Sequence, residues 1–453
     1  MSRSNRRTVL IAIAGAAGAY YGGSSTWNRT GSEDARADAS TTTDDESDTD
    51  VTPNGNYSSE EEMGVEGDAN EEDDPGADGD GAEGDGENEA DENAVVGSGW
   101  SSYRYAEGNT AFASTVSGPT DGVEVSWSIE DVRGPVVALG DTVYGGGDRL
   151  LALDSTTGEN RWSVPSGETG EPRFYTPAVI DGTVYAASAR DGVYALDAQT
   201  GDQRWHTRAP TGANTATPVT LADGRVFVVW HAATVDEVES LRGDLLVAYD
   251  AETGEEEWRA FGGEYDYHGG RAPGVAVSGE TVFFAADGLR ALDAETGTER
   301  WQYPGWFKRT GAPAVTVGTV YVGDGWPSGT FCAVDAATGE ERWTYRTDAE
   351  VVWSAPAVAE GVVYVGVTDE ADPDRTHLLA LDGADGFERW KANDPGTGPA
   401  RSPAVADAVY GSGYAIDPVD GAVLWYHDDF DVSPALADGA VFLGGTKLTS
   451  ESG

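Results

Sequence analysis

Lysine is the scarcest charged residue in this chain. Of its 28 basic residues only Lys308, Lys391 and Lys447 are lysine, against 80 acidic residues, so the formal net charge is −52 at pH 7. This balance argues against binding to nucleic acid or to an anionic membrane surface through general electrostatics. Because 1 M salt screens charges beyond about 3 Å, a surface of short acidic side chains indicates a halophilic, salt-adapted protein.

Cysteine and clustered histidine are also nearly absent. The single cysteine, Cys332, lies in the apolar phrase FCAVD, so no disulfide can form within the chain, and we expect the thiol to be a small buried hydrophobe. The five histidines show no H-x-H or HExxH spacing, which argues against a zinc site. No Walker, G-x-S-x-G or dinucleotide-binding phrase occurs in the context of a strand, a turn and a helix. The sequence therefore predicts neither a metal site nor hydrolase or nucleotide chemistry.

Residues 1–30 have the pattern of an export signal. Arg6 and Arg7 precede the short apolar stretch IAIAGAAGAYYGG, as is typical of a twin-arginine signal peptide. An uncleaved anchor helix is the alternative, although the stretch is short against the ~20 residues that span a bilayer. We expect an exported protein, extracellular or at the cell surface, that contacts a membrane only through this segment.

Residues 31–97 form a strongly acidic stretch. They contain 25 Asp or Glu residues against the single basic residue Arg36, with almost no large apolar side chains. Such a composition cannot bury enough apolar surface to offset the entropy cost of ordering the chain. We therefore predict a disordered, self-repelling linker between the export segment and residues 98–453.

Residues 98–453 contain one phrase eight times. Each copy ends in a tryptophan, and neighbouring copies are 35 to 53 residues apart: Trp127, Trp162, Trp205, Trp258, Trp301, Trp343, Trp390 and Trp425. Six copies read like FCAVDAATGEERW, with an aspartate after an alternating apolar run: Asp154, Asp197, Asp250, Asp293, Asp335 and Asp382. Such an aspartate accepts hydrogen bonds from the next backbone amides, and the glycine of the phrase tolerates the positive φ of the turn. The charged strand that ends in the tryptophan suits an outer edge.

A second signal precedes each phrase. Two alternating runs joined by a glycine-containing turn, such as APAVTVGTVYVGD from Ala312, predict a hairpin. A repeat of several short strands indicates an all-β, eight-bladed β-propeller with four-stranded blades. The C-terminal copy, Ser433 to Gly445, has only the first hairpin, and the stretch ending at Trp127 has only the second. We therefore expect the two chain ends to complete one blade together.

The phrase A-x-D-x-x-T-G-x-x-x-W resembles the repeat of the pyrroloquinoline-quinone (PQQ) type propellers, over roughly residues 108–448. The resemblance implies either a quinoprotein dehydrogenase or a cofactor-free propeller similar to that of the outer-membrane β-barrel assembly machine, which is an interaction scaffold. The dehydrogenases typically carry an adjacent cysteine pair and an Asp, Glu and Asn set around calcium. This chain lacks the pair, and the calcium set maps onto no motif. No cofactor is therefore expected, with PQQ and calcium as the alternative.

Basic residues precede the prolines at the starts of the predicted inner strands. They are Arg133, Arg173, Arg271, Lys308, Arg309 and Arg401. Most lie two or four positions before the proline, and even offsets place side chains on one side of an extended strand. The aromatic or imidazole residues interleaved with them include Tyr175, His268 and Trp353. This ring either holds the blades in register through ion pairs or binds an anionic, carboxylate-bearing or planar ligand.

The sequence thus predicts a monomeric binding or scaffold protein rather than an enzyme. Its partner would be a protein or an anionic small molecule at the propeller face. A PQQ-dependent dehydrogenase is the alternative function.

Overall fold

The computed structural model describes residues 99–451 except 107, 166–173, 189–190, 236–237, 265–272, 306, 308–309, 317, 325–328, 348–350, 370, 373–375, 396–400 and 428–429. The predicted export segment and acidic linker lie outside this part of the chain. So do five residues of the predicted basic ring: Arg173, His268, Arg271, Lys308 and Arg309. Every secondary-structure element among the described residues is a β-strand. No helix in this part of the chain is long and apolar enough to span a membrane.

The strands are short and follow one another closely. Up to Tyr303 the chain contains β1 (Gly99–Trp100), β2 (Val123–Ser128), β3 (Val136–Leu139), β4 (Thr142–Gly145), β5 (Arg149–Asp154), β6 (Asn160–Pro165), β7 (Ala178–Ile180), β8 (Thr183–Ser188), β9 (Gly192–Asp197), β10 (Gln203–Arg208), β11 (Thr215–Ala216), β12 (Thr220–Ala222), β13 (Arg225–Val235), β14 (Val238–Asp250), β15 (Glu256–Glu264), β16 (Gly274–Ser278), β17 (Thr281–Ala286), β18 (Gly288–Asp293) and β19 (Glu299–Tyr303). After it follow β20 (Ala314–Thr316), β21 (Thr319–Gly323), β22 (Thr330–Asp335), β23 (Glu341–Arg346), β24 (Val351–Trp353), β25 (Ala357–Ala359), β26 (Val362–Asp369), β27 (Thr376–Asp382), β28 (Glu388–Asn393), β29 (Ala404–Val405), β30 (Val409–Tyr410), β31 (Tyr414–Ile416), β32 (Val423–Tyr426), β33 (Ala435–Ala437), β34 (Ala440–Leu443) and β35 (Thr446–Ser450).

These strands form eight antiparallel sheets, which are the blades of a propeller. From the inner to the outer strand, blade 1 is β3 to β6, blade 2 is β7 to β10, blade 4 is β16 to β19, blade 5 is β20 to β23 and blade 7 is β29 to β32. In blades 3 and 6 the inner position is divided between two short strands, β11 with β12 and β24 with β25. Blade 8 is β33, β34, β35 and β2. The predicted eight-bladed, all-β propeller is confirmed.

Blade 8 is built from both ends of the propeller chain, as expected, but the number of strands from each end differs from the expectation. The C-terminal end supplies three strands and the N-terminal end only the outer one, β2, which pairs with β35 in the register Val125 to Leu448. The expectation of two strands from each end was wrong, because Thr446–Ser450 turns back at Gly444 (φ 58°) and forms β35. The residues before β2 were therefore not needed for the blade.

The aspartate of the repeated phrase organises the turn before each outer strand. In blade 5, Asp335 Oδ1 accepts hydrogen bonds from the amides of Ala337 at 3.0 Å and Thr338 at 2.9 Å, and Gly339 has a φ of 76°. The other oxygen, Oδ2, accepts from Arg342 Nη2 at 2.7 Å. This arginine contact lowers the pKa of Asp335 to about 2. The same aspartate–arginine pair occurs in blades 1, 2, 4 and 6.

The eight tryptophans of the phrase join the blades to one another. Each donates its Nε1–H to a backbone carbonyl of the following blade, for example Trp258 to Ala294 at 2.9 Å. The others pair with Ser155, Ala198, Ala251, Ala336, Gly383, Pro418 and Pro119. The last of these hydrogen bonds, from Trp425 to Pro119, joins blade 7 to the residues that precede β2 of blade 8. Each indole thus lies between two neighbouring blades, and burial of such a ring contributes about 3 kcal/mol by area.

Residues 99–113, without residue 107, run through the centre of the propeller and are called the hub segment below. Its first part, β1, pairs antiparallel with β3, the inner strand of blade 1, and lies beside β33 of blade 8. The chain then turns and runs back, so that Phe112 forms a parallel bridge with Val405 of blade 7. The segment therefore enters and leaves the hub at the same end of the propeller axis.

The hub segment hydrogen-bonds the inner strands of most other blades. Its carbonyls accept from inner-strand amides at 2.8 Å: Ser101 from Val179, Gly108 from Val315, Thr110 from Val358 and Ala111 from Val405. The Asn109 amide donates to the carbonyls of Val275 at 2.6 Å and Pro313 at 3.2 Å. One segment thus contacts the inner strands of seven of the eight blades, so it lies on the axis and satisfies backbone groups that would otherwise be buried without partners.

Candidate functional site

A pocket opens at the end of the hub where the inner strands begin. It has a volume of about 320 Å³, and its wall includes Tyr103, Arg133, Trp353, Arg401 and Asp431. We call it the hub pocket. A volume of this size is at the lower end of the range of about 300–1,000 Å³ that holds small-molecule ligands.

The residues of the wall come from the connections between blades. Pro135 and Pro403 immediately precede the inner strands β3 and β29, and Pro434 precedes β33. Proline fixes φ and has no backbone N–H, so it suits the first residue before a strand that faces an open pocket. Arg133 and Arg401, two positions before their prolines, therefore reach the same cavity from blades 1 and 7. The structure thus brings these two residues of the predicted ring to one pocket.

Arg401 is half-buried and only partly satisfied. It forms an ion pair with Asp431, a residue whose side chain is 86% exposed. Its Nε–H is buried and has no hydrogen-bond acceptor among the described residues. Burial lowers the pKa of this guanidinium, while the nearby phenol of Tyr103 raises it. The pocket wall thus holds a desolvated donor that still needs an acceptor.

Arg133 differs from Arg401 in being exposed. Its backbone N–H donates to Gly146 at 3.3 Å, which holds the connection in place. No carboxylate in the described part of the chain forms an ion pair with it. Its guanidinium is therefore available to a ligand at the mouth of the hub pocket.

The hub segment supplies a third arginine behind the pocket. Arg104 is only 3% exposed, donates from Nε to the Asn109 carbonyl at 3.2 Å and from Nη2 to the Pro356 carbonyl, and has no carboxylate partner among the described residues. Burial lowers its pKa to about 10, with a smaller opposing effect of Tyr103, so it stays charged at neutral pH. Arg104 lines a cavity of about 10 Å³, with room for about one water molecule, and this cavity shares Tyr103 with the hub pocket.

Sequence reasoning missed Arg104. Its backbone has a φ of 62°, and that of Tyr105 is 74°, a left-handed conformation that costs non-glycine residues about 1–2 kcal/mol each. The repeat pattern could not predict this turn of the hub segment, because the segment occurs only once in the chain. The available signal was charge, since Arg104 is the only basic residue between Arg36 and Arg133.

The two aromatic residues of the predicted ring do not offer open stacking faces. Trp353 borders the pocket, but it is 1% exposed, and its ring lies 5.2 Å from Phe331 and 6.3 Å from Tyr345 in the core between blades 5 and 6. Tyr175 is half-buried and packs on the core between blades 2 and 3, away from the hub pocket. Trp353 is therefore not available to stack on a planar ligand, because its indole already fills the core.

A calcium ion, which would accompany PQQ, has no evident set of ligands among the described residues. Among them no group of three His, Cys, Asp or Glu side chains could hold a metal ion. Cys332 is buried in β22, as expected, and burial raises the pKa of its thiol to about 12. The hub segment, moreover, contacts the inner strands along the propeller axis.

The fold and the repeated phrase define the class as a PQQ-type β-propeller. A profile of the family described as outer membrane protein assembly factor BamB matches residues 146–309 and 285–428, which is more than half of the chain. The chain belongs to this family.

One curated relative and two solved structures show how far the similarity extends. The serine/threonine-protein kinase AfsK of Streptomyces griseus is 34% identical over 172 residues, which is 34% of this chain but only 20% of the kinase. The quinohemoprotein alcohol dehydrogenase of Comamonas testosteroni aligns with a TM-score of 0.60 at 15% identity over 77% of each chain. A europium-containing methanol dehydrogenase aligns with a TM-score of 0.58 at 14% identity over 74% of this chain and 87% of the enzyme. At such identities the two enzymes share the fold with this chain.

Proposed function

We propose that this protein is an exported or cell-surface binding or scaffold protein, and that its hub pocket holds an anionic group of a small molecule or a protein partner. The observation that supports this most directly is the buried Nε–H of Arg401, which has no acceptor among the described residues although Arg401 itself lines an open pocket. A ligand carboxylate that reaches this guanidinium would supply an acceptor.

The charges around the pocket favour an anion. Arg133, Arg401 and the more deeply buried Arg104 lie at or behind its wall, whereas Asp431 is the acid that borders it. In a chain of net charge −52 this is an unusual local excess of positive charge. The planar fork of an arginine matches a carboxylate through two parallel hydrogen bonds. A carboxylate between Arg133 and Arg401 would be held from two blades at once.

A purely structural role for these arginines is the competing interpretation. It would require that each guanidinium be satisfied by residues of neighbouring blades. Arg401 meets this requirement only in part, and Arg133 has no ion-pair partner in the described residues. The contrast with Arg342, which pairs fully with Asp335 at the rim, supports a ligand site.

The proposal is tested by binding measurements on the double variant Arg133→Gln/Arg401→Gln. Calorimetry in molar KCl would use citrate, benzoate and a peptide with a free C-terminal carboxylate as probes. We expect at least one probe to bind the wild type and its affinity to fall by at least tenfold in the variant, because each lost charge-assisted contact contributes about 1.5–3 kcal/mol. The control Arg149→Gln/Arg208→Gln, which removes two exposed arginines outside the pocket, should bind as the wild type does. Absence of binding by all three probes, or equal binding by the variant, would contradict the proposal.

A quinoprotein dehydrogenase is the alternative function. It is favoured by the fold shared with two such enzymes and by a cationic pocket that suits an acidic cofactor. The test is to incubate the protein with PQQ and calcium, remove free cofactor, and follow absorbance and dye reduction with simple alcohols. Retained PQQ with turnover would establish the dehydrogenase and overturn the proposed scaffold. We carry no kinase activity over from AfsK, since this chain spans about a fifth of that protein's length.

A further inference from the structure

The charges on the wall of the hub pocket alternate in sign around the propeller axis. Arg401, Asp431 and Arg133 precede the inner strands β29, β33 and β3, which belong to the neighbouring blades 7, 8 and 1. Asp431 therefore comes from the connection that lies between those of the two arginines. A carboxylate at this place repels a simple anion, so the wall combines charges of both signs.

Asp431 is held loosely. Its side chain is 86% exposed, and its carboxylate has one polar partner among the described residues, the Nη2 of Arg401. The aspartates of the repeated turns are held more firmly, because Asp335 also accepts hydrogen bonds from the backbone amides of Ala337 and Thr338. Asp431 has no such support from the described backbone, so its carboxylate is free to turn towards another cation.

The guanidinium of Arg401 has donors for two carboxylates. One, Nη2, is used by Asp431, and the other, the buried Nε–H, has no acceptor among the described residues. A ligand carboxylate that binds this guanidinium would therefore lie close to Asp431. Two carboxylates at one site repel each other. An ammonium group on the ligand, next to its carboxylate, would offset this repulsion by pairing with Asp431.

We propose, building on the function proposed above, that the ligand of the hub pocket is a free α-amino acid. Its carboxylate binds Arg401 and Arg133, and its ammonium group binds Asp431. In an α-amino acid the two charged groups are attached to the same carbon atom. This matches a wall on which groups of opposite charge come from adjacent connections and form an ion pair with each other.

The size and the lining of the pocket fit such a ligand. Its volume of about 320 Å³ is at the lower end of the range for small-molecule ligands, which suits a single amino acid. Pro135, Val352 and Val432 are half-buried on its wall and form an apolar surface beside the charged groups. The side chain of the amino acid should therefore be apolar.

A role of Asp431 in neutralising Arg401 alone is the competing interpretation, and the two roles predict opposite results. If Asp431 only neutralises Arg401, it competes with every carboxylate ligand, whether or not the ligand carries an ammonium group. Removal of its charge in Asp431→Asn would then strengthen the binding of all of them. If Asp431 binds the ammonium group, the same substitution weakens the binding of amino acids and strengthens only that of carboxylates without an ammonium group.

The test is calorimetry in molar KCl with three probes: L-leucine, N-acetyl-L-leucine, which lacks the ammonium group, and L-leucinamide, which lacks the carboxylate. We expect leucine to bind the wild type more tightly than either derivative, and its affinity to fall about two- to fivefold in Asp431→Asn. The affinity of N-acetyl-L-leucine should rise in the same variant. The control Asp223→Asn removes an exposed charge from the turn between β12 and β13, outside the pocket, and should change neither affinity.

The same series with phenylalanine and glutamine covers a larger and a polar side chain. The melting temperature of Asp431→Asn should equal that of the wild type, because the side chain is exposed. If benzoate or an N-acetyl derivative binds but no free amino acid binds more tightly than its derivatives, the amino-acid inference is overturned and the anion site remains. A rise in affinity for amino acids in Asp431→Asn would have the same meaning. Absence of binding by every carboxylate, benzoate included, would contradict the proposed function together with this inference.

Discussion

At the outer rim the same hydrogen bond, from a tryptophan Nε1 to a carbonyl of the next blade, occurs eight times, whereas the contacts at the hub come from one segment that occurs once. The rim is therefore nearly symmetric, and the hub is not. Arginine is paired with an aspartate in five blades at the rim, but Arg133 and Arg104 at the hub have no such partner among the described residues. The repeated part of the chain builds the ring, and the part that breaks the repeat forms the candidate binding site.

The largest expected effect is at the rim. Replacement of Trp258 by Ala would remove a 3% exposed ring and its hydrogen bond to Ala294. We expect the free energy of unfolding to fall by about 3–5 kcal/mol, as measured by urea denaturation followed by circular dichroism. A loss below 1 kcal/mol would show that the wedge between blades 3 and 4 is not filled as described. Trp258→Phe, which keeps an aromatic ring, should lose less.

A smaller effect is expected at the hub from Asn109→Ala. The substitution leaves the carbonyls of Val275 and Pro313 without their donor, and buried acceptors without partners cost about 1–3 kcal/mol. The exposed Asn160 in β6 serves as the control, since Asn160→Ala should change stability by less than about 0.5 kcal/mol. Equal effects of the two substitutions would mean that the hub segment does not hold the inner strands together.

The smallest effect concerns pH. The arginine contacts of Asp293 and Asp335 lower their pKa values to about 2, below the value of about 3.9 in an unfolded chain. Because the folded carboxyl binds a proton less readily, the pairs stabilise the fold fully above about pH 4, and this contribution is lost as the pH falls through about 2. NMR titration of the carboxyl carbons should give midpoints near 2 for both residues. In Arg342→Gln the midpoint of Asp335 should rise while that of Asp293 stays.

The sequence was sufficient to predict the rim and insufficient to predict the hub, for physical reasons. The aspartate and the tryptophan of the phrase, such as Asp154 and Trp162, occur at the same positions in copy after copy. The strand and turn inferred from one copy can therefore be checked against the others. Arg133 and Arg401 could be placed together because proline marks the start of each inner strand. The hub segment has no second copy, and its conformation depends on inner strands up to 300 residues away in sequence, such as that of Val405. The burial of Trp353 could not be predicted, because exposure cannot be read from residue type.

Hydrogen exchange at the hub tests most directly whether the hub segment fills the propeller axis beneath the hub pocket. The amides of Val179, Val315, Val358 and Val405 donate to carbonyls of this segment. Our account predicts that they exchange as slowly as the amides in the middle strands of the blades, such as β8 and β26. Exchange at the rate of exposed loops would show an open channel and contradict the account.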